Sequence, residues 1–344
     1  MTATAAVATR QAGRPSCTGG LAACSRPRRS LTEKDSLYMF KNLILYRIQP
    51  EWQPDATRLE QALATEPFAE CSATQQKSAG WLPPRGHEHG ALLETVGGQW
   101  IMRFAIETKA VPSDAIRKKV DEQAAHIEAT RGRKPGKKEL RDMKDDALIA
   151  LLPQAFARRA SCWVWIDPEA RLLALGVGNQ GKADEITTSL MRVAGGGSGA
   201  LALALLQTQT SPQTAMASWL ASEDGAALHP AFAIERECEL KGSGEEPSVI
   251  KITRHPLETP EVRQHIQEGK LPAKLALNWQ DRMGFVLTQA LQLKKLRFED
   301  NLFDETGKPE SADERFDADV ALATGELARL IPDLIAALGG EAGI

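Results

Sequence analysis

In the stretch Leu92-Leu-Glu-Thr-Val-Gly-Gly-Gln-Trp-Ile-Met-Arg-Phe-Ala-Ile-Glu-Thr108, two β-like runs, 92–96 and 99–108, flank Gly97-Gly98. A Gly-Gly pair supplies the positive φ angles that a tight hairpin turn needs, so the two runs pair antiparallel. The pattern recurs at 163–166 and 172–177 around Asp167-Pro168, then at 234–241, at 248–254 and in a meander over 271–298. A strand over 41–48 comes before them, and residues 81–84, with Trp81, Pro83 and Pro84, read as loop. Helices are predicted at 54–64, opened by Pro54 and the capping carboxylate of Asp55, at 182–193, near 212–221 and over 311–338, where Pro332 kinks the last one. Strands mostly neighbour strands and helices come in blocks. The class is therefore α+β, with mixed, mainly antiparallel sheets rather than a doubly wound parallel one.

Between 112 and 155 the period changes to that of a helical hairpin. Ile116, Val120, Ala124 and Ile127 recur at helical spacing, the Gly132 to Gly136 segment breaks the helix, and Leu140, Met143, Ala147, Leu148 and Leu151 line a second one. On that second helix Lys137, Arg141 and Lys144 fall within about 60° of one another, a basic ridge. The chain divides into a central α/β region (39–111 plus 156–198), a helical tip (112–155), a β-rich base (199–300) and a C-terminal helix packing on the central region (301–344). The Gly run 195–199 marks an edge between units. Residues 1–38 carry six basic and two acidic side chains with little apolar periodicity, and disorder is expected there. Their composition resembles a transit peptide, but an upstream start codon, with Met39 as the native start, explains them more simply.

With 344 residues, 42% hydrophobic and 25% charged, the chain can bury a full core. No run approaches the roughly 18 apolar residues of a membrane span. Five scattered cysteines without C-x-x-C spacing suggest neither zinc nor a disulfide framework, so a cytoplasmic setting is expected.

Chemistry has weak footholds. Gly176-Val-Gly-Asn-Gln-Gly-Lys182 has the spacing of a phosphate-binding loop, yet Ala183 stands where a magnesium-binding hydroxyl belongs, so an ordinary strand-to-helix turn is the better reading. His87-Glu-His89 lacks a third metal ligand at recognisable spacing. Asp317-Ala-Asp319, beside Asp313 and Glu314, suits a magnesium-dependent nuclease, but carboxylates in a first helical turn also suit the helix dipole. G-x-S-x-G and H-E-x-x-H are absent. No cofactor or metal is implied.

Charge distribution is the stronger signal. The whole chain stands at -3, yet residues 117–144 hold ten basic side chains (Arg117, Lys118, Lys119, Arg131, Arg133, Lys134, Lys137, Lys138, Arg141, Lys144) against five acidic. Residues 299–319 hold nine acidic against two basic. Such segregation attracts a polyanion to one surface and repels it elsewhere. Phe156 and Arg158 follow the tip directly, an aromatic for stacking or an interface beside a donor. In Val249-Ile-Lys-Ile-Thr-Arg-His255, Lys251 and His255 share the outward face of a strand and Arg254 leaves it at its end; all three are candidate phosphate contacts. The residues by themselves leave a solvated hairpin, a polyanion-binding surface, a nuclease or nucleotide hydrolase, and a protein-binding scaffold open.

Several segments, in order, resemble the bacterial recombination-associated RdgC family: Met39-Phe-Lys-Asn-Leu-Ile-Leu-Tyr-Arg47, Gly80-Trp-Leu-Pro-Pro84, Leu151-Leu-Pro-Gln-Ala-Phe156, Lys274-Leu-Ala-Leu-Asn-Trp-Gln280, Arg315-Phe-Asp-Ala-Asp319 and Thr324-Gly-Glu-Leu327. The resemblance implies a non-enzymatic, sequence-independent DNA-binding protein of the nucleoid. It would close as a homodimer into a ring around duplex DNA, with single-stranded DNA as a further ligand, and restrain the RecA recombinase. It would also place Arg133, Arg254 and Phe156 on or near the DNA-facing surface and the ring interface. Gln154 departs from the pattern, standing where that resemblance leads one to expect a basic residue.

Overall fold

A computed structural model of the chain describes residues 39–195, 199–222, 227–242, 248–299, 302 and 311–343. The expected disorder of residues 1–38 and the middle of the Gly run, 196–198, lie outside them. The elements run β1 (Asn42–Ile48), α1 (Ala56–Leu63), β2 (Lys77–Leu82), β3 (Leu93–Val96), β4 (Gln99–Lys109), α2 (Ser113–Arg131), α3 (Lys137–Leu151), a 3-10 turn at Leu152–Gln154, β5 (Ala157–Asp167), β6 (Leu172–Leu175) and α4 (Gln180–Val193). Then follow β7 (Leu203–Leu205), α5 (Pro212–Ala221), β8 (Phe232–Lys241), β9 (Val249–Thr253), α6 (Pro260–Gln267), β10 (Leu271–Trp279), β11 (Met283–Thr288), β12 (Leu293–Phe298) and α7 (Ala312–Ala337).

The class is α+β, and every pairing between these strands is antiparallel. One sheet carries the order β2-β4-β5-β6-β1-β12-β11-β10-β8-β9, with β3 on β4 and β7 on β1. Its hinge is β1: Asn42 and Leu43 pair with β12, while Ile44 to Arg47 pair with β6. The Gly97-Gly98 turn forms as the sequence predicts, with φ of 56° and 80° and Val96 opposite Gln99. Asp55 caps α1 through a 3.0 Å bond from the Arg58 amide.

Alternation of side chains along each strand sends two apolar sets to opposite faces. Leu43, Leu45, Ile101, Trp165 and Ala174 join one core with α5, α7 and the base strands. Ile44, Tyr46, Met102, Phe104, Val164 and Leu173 join the other with α1 and α4. The middle of the sheet is therefore covered twice, and β6 is buried at all four positions. α7 runs through Pro332 to Ala337 and is tied to the β10–β11 turn by polar bonds as well as packing. Arg282 donates twice at 2.7 Å to the buried Glu326, and Trp279 Nε1 donates to Asp333 at 2.8 Å. Burial pushes the Glu326 carboxyl up, but hydrogen bonds from Arg282 and Arg329 prevail and hold it below its ordinary range.

Several elements depart from the sequence reading, the short β7 among them. Residues 77–82 form β2, paired with β4 from Lys77↔Thr108 to Leu82↔Arg103, where a loop was expected for Trp81 and Leu82. The indole of Trp81 is 1% exposed and makes an edge contact with Phe104, so tertiary pairing overrides the Gly and Pro punctuation around it. Gly80 is required there, because a Cβ would stand 2.7 Å from the Cα of Phe68. β5 begins at Ala157, well before Trp163, and α6 is a further helix.

Candidate nucleic-acid interface

Strands β4 and β5 stay in register from Trp100↔Ile166 out to Lys109↔Ala157, and the chain between their ends is the helical tip. The outer residues of β5, Ala157 to Ser161, are all exposed; with β4, which pairs with β2 on its other side, they form the arm of the sheet that leads to the tip. At 1.5 Å per residue, the nineteen residues of α2 make a helix about 28 Å long. The tip has a small core of its own: Val120, Met143 and Ala147 are buried, with Ile116, Ala124, Ile127 and Leu140 packed around them.

At the root of the arm, the nearly buried Glu107 accepts the Cys71 amide at 2.8 Å and Arg159 Nε at 3.0 Å. The Cys71 amide, and after it Arg159, overcome burial and hold this carboxyl below its ordinary range. Arg159 also reaches Glu70 at 2.6 Å and lies over the Phe68 ring. It braces the arm, whereas its neighbour Arg158 makes no ion pair among the described residues. At the far end Gly132, with φ of 66°, stops α2. Glu139 then folds back on the Gly136 amide at 2.8 Å and takes both Nη atoms of Arg133 at 2.7 Å.

Lys118, Arg131, Lys134, Lys137, Lys138, Arg141 and Lys144 are exposed and make no ion pair among the described residues. Arg117 lies 3.8 Å from Asp114 on the same helix. Arg133 differs from the ridge residues, since its guanidinium staples the turn. Phe156 is 93% exposed, the most exposed of the large apolar side chains among the described residues, and Ile149, seven residues earlier, is 51% exposed. Lys251, Arg254 and His255 form a second group. Along β9 exposed and half-buried residues alternate, with Ile250 and Ile252 inward, and Arg254 turns out of the strand at a φ of 57°. Since β9 closes the opposite end of the sheet order from β2, β4 and β5, the chain presents two separate basic groups.

The competing sites find other employment. Asp317 Oδ1 bonds Arg85 at 2.6 Å; Arg85 also pairs with Glu94 and Asp313 and stacks on Phe316. In the 176–182 turn, the side chain of Asn179 caps α4 by accepting the Lys182 amide at 2.9 Å, as an ordinary strand-to-helix turn does. His87 and His89 are exposed, and among the described residues no three His, Cys, Asp or Glu side chains gather as metal ligands. The described cysteines, Cys71, Cys162 and Cys238, are free thiols, and burial pushes Cys162 up to about 11 and Cys238 up to about 12.

The sequence reading misses Arg85, Glu107 and the carboxylates of β8. For β8 the signal was present, in the period-two run Glu235-Arg-Glu-Cys-Glu-Leu-Lys241.

The sequence matches known proteins over most of its length. A family model described as "Putative exonuclease, RdgC" matches residues 38–341. The recombination-associated protein RdgC of Dechloromonas aromatica (strain RCB) is 41% identical over 306 residues, covering 88% of this chain and 98% of its own. Those of Herminiimonas arsenicoxydans and Bordetella pertussis (strain Tohama I / ATCC BAA-589 / NCTC 13251) are 38% and 35% identical over 303 residues, with the same coverage. Among the described residues no helix is long and apolar enough to cross a membrane.

Proposed function

The chain belongs to the RdgC family of recombination-associated proteins, and on that premise we propose that it binds duplex DNA without sequence preference, as a homodimer closed into a ring, and thereby restrains RecA-dependent recombination. The observation that carries this reading is the ridge of uncompensated cations on α3, held out from the body on a braced arm. Cations with no carboxylate to displace meet phosphates at the lowest cost, and contacts to the DNA backbone carry no sequence information. The two basic groups at opposite ends of the sheet fit a bore assembled from two copies, with Lys251, Arg254 and His255 as further contacts. Phe156 and Ile149 are exposed apolar side chains that a symmetric contact between copies would cover. Encirclement lets many weak contacts add up while the rest of the surface stays acidic. On this reading the protein is a cytoplasmic, nucleoid-associated binder and not an enzyme, and nothing about Asp317 favours a nuclease.

The test is fluorescence anisotropy with random-sequence duplex over a salt series, repeated with single strands, and light scattering with and without DNA. A dimer whose affinity falls steeply with salt is expected. Affinity that holds constant from low to high salt, or a monomer under all conditions, overturns the ring. Cleavage of the duplex in magnesium restores the nuclease.

A further inference from the structure

On the outward face of the base sheet, cations and carboxylates stand in fixed register. Lys274 of β10 and Lys251 of β9 lie directly opposite Glu239 of β8 on its two sides. The Glu239 carboxylate is 2.9 Å from Lys274 and 4.0 Å from Lys251, and Lys241 lies 3.7 Å away. Two positions along β8, Glu237 takes Lys295 at 2.5 Å; two further, Glu235 takes Arg297 at 2.8 Å. Both partners come from β12, across β10 and β11.

The backbone is shaped for this reach. Lys295 sits at a φ of 53° in an irregularity where Gly284 pairs with Arg297 but Val286 pairs with Lys294. A left-handed lysine within a strand is rarely adopted without a reason in the surroundings. Gly284 lies beneath the Glu235–Arg297 pair: a Cβ there would stand 2.7 Å from one guanidinium nitrogen and 2.9 Å from the carboxylate. Depth separates the two signs. Glu239 is 12% and Glu235 28% exposed in their side chains, whereas Lys251 is 69% and Lys295 62% exposed. Glu237, at 37%, is about as exposed as Lys274 at 40%, so an approaching surface meets most of the five cations before the recessed Glu239 and Glu235.

We infer that this face takes up the phosphate backbone of duplex DNA by exchange, each phosphate replacing a β8 carboxylate, and that Glu235, Glu237 and Glu239 thereby hold the affinity of the protein below what its cations allow. The inference rests on the DNA-binding reading above. Exposed ion pairs contribute little stability, so exchange costs least at the outer pair of Glu237 and Lys295. A carboxylate already beside a cation nevertheless removes it from the count of charges that release DNA counterions.

The experiment compares the full chain with E235Q/E237Q/E239Q, with K295Q/R297Q, and with E51Q/E88Q/E169Q, which removes three exposed carboxylates outside the row. Circular dichroism and elution volume check the fold of each. The row variant is expected to bind random duplex on the order of tenfold more tightly and to steepen the slope of log affinity against log salt by about 2 to 3. K295Q/R297Q is expected to weaken binding, and the control triple to change it least. Unchanged affinity and slope in the row variant, or equal tightening in the control, overturns the inference while leaving the DNA-binding reading intact. If the wild-type chain binds no duplex, that reading fails by itself. Binding by the row variant would then keep the carboxylates as a mask, and its absence would end both.

Discussion

On α3, Lys137, Lys138, Arg141 and Lys144 project from a helix whose buried residues face only the partner helix of the hairpin; on the base sheet, Lys274 and Lys251 lie in register opposite Glu239. Both regions gather cations, but their costs fall in different places. The tip leaves its ridge cations unpaired and rests them on three buried side chains, so its binding depends on a fragile support. The base seats its cations on strands that share the largest core and neutralises them with carboxylates, so its support is firm and its charge is spent. A free cation on a weak scaffold and a paired cation on a strong one should fail differently when mutated.

The largest effect is expected from reversing the ridge. K137E/R141E/K144E should lower affinity for duplex by at least about a hundredfold and flatten the salt slope by about 3, with circular dichroism unchanged. Arg133 is left out of that triple because its loss would also release the turn. Wild-type affinity in the triple would mean that the tip is solvated surface and that the base carries any binding.

Next come the supports. Met143→Ala should remove about 2 to 5 kcal/mol from the tip, seen as faster amide exchange in α2 and α3, while the global unfolding midpoint stays in place. Leu275→Ala, at a fully buried base position, should take a similar amount from the whole transition. A global shift from Met143→Ala would erase the distinction between the two regions. Phe156→Ala should leave monomer stability unchanged, since nothing is buried there, yet weaken the dimer by about 2 kcal/mol, roughly thirtyfold, in light scattering.

How much of this the sequence makes legible follows from what each feature depends on. The Gly97-Gly98 hairpin, the Asp55 cap and the two helices of the tip rest on local chemistry, and they read correctly. β2 does not read, because its strand character comes from pairing with β4 and from the burial of Trp81, neither of which is local. The same holds for the site. The cations of 117–144 are visible as composition. That Arg133 is held by Glu139, that Arg85 occupies Asp317, and that Arg159 is paired while Arg158 is not are facts of three-dimensional pairing. Sequence shows where charge is; only the fold shows which charge is already used.

Arg133 and Glu139 give the smallest effect and the sharpest comparison, since they repeat the base arrangement within the tip. The hydrogen bonds from Arg133, then the Gly136 amide, draw the Glu139 carboxyl down to about 2 from its ordinary value. A carboxyl depressed in the folded state contributes stability that is fully present above its unfolded value, about 4.3, and is lost as pH falls from there towards about 2. Protection of the Gly136 amide should therefore hold from pH 7 to 5 and decay below. In Glu139→Gln the turn should be looser at pH 7 and nearly insensitive to acid across that window, because the amide still accepts from Gly136 but cannot pair with a guanidinium. The freed Arg133 then becomes one more ridge cation, and the salt slope for duplex should steepen by about 0.9. If the slope stays at the wild-type value while the Gly136 amide loses protection, Arg133 serves the turn alone, and freeing a cation is not enough to put it on DNA.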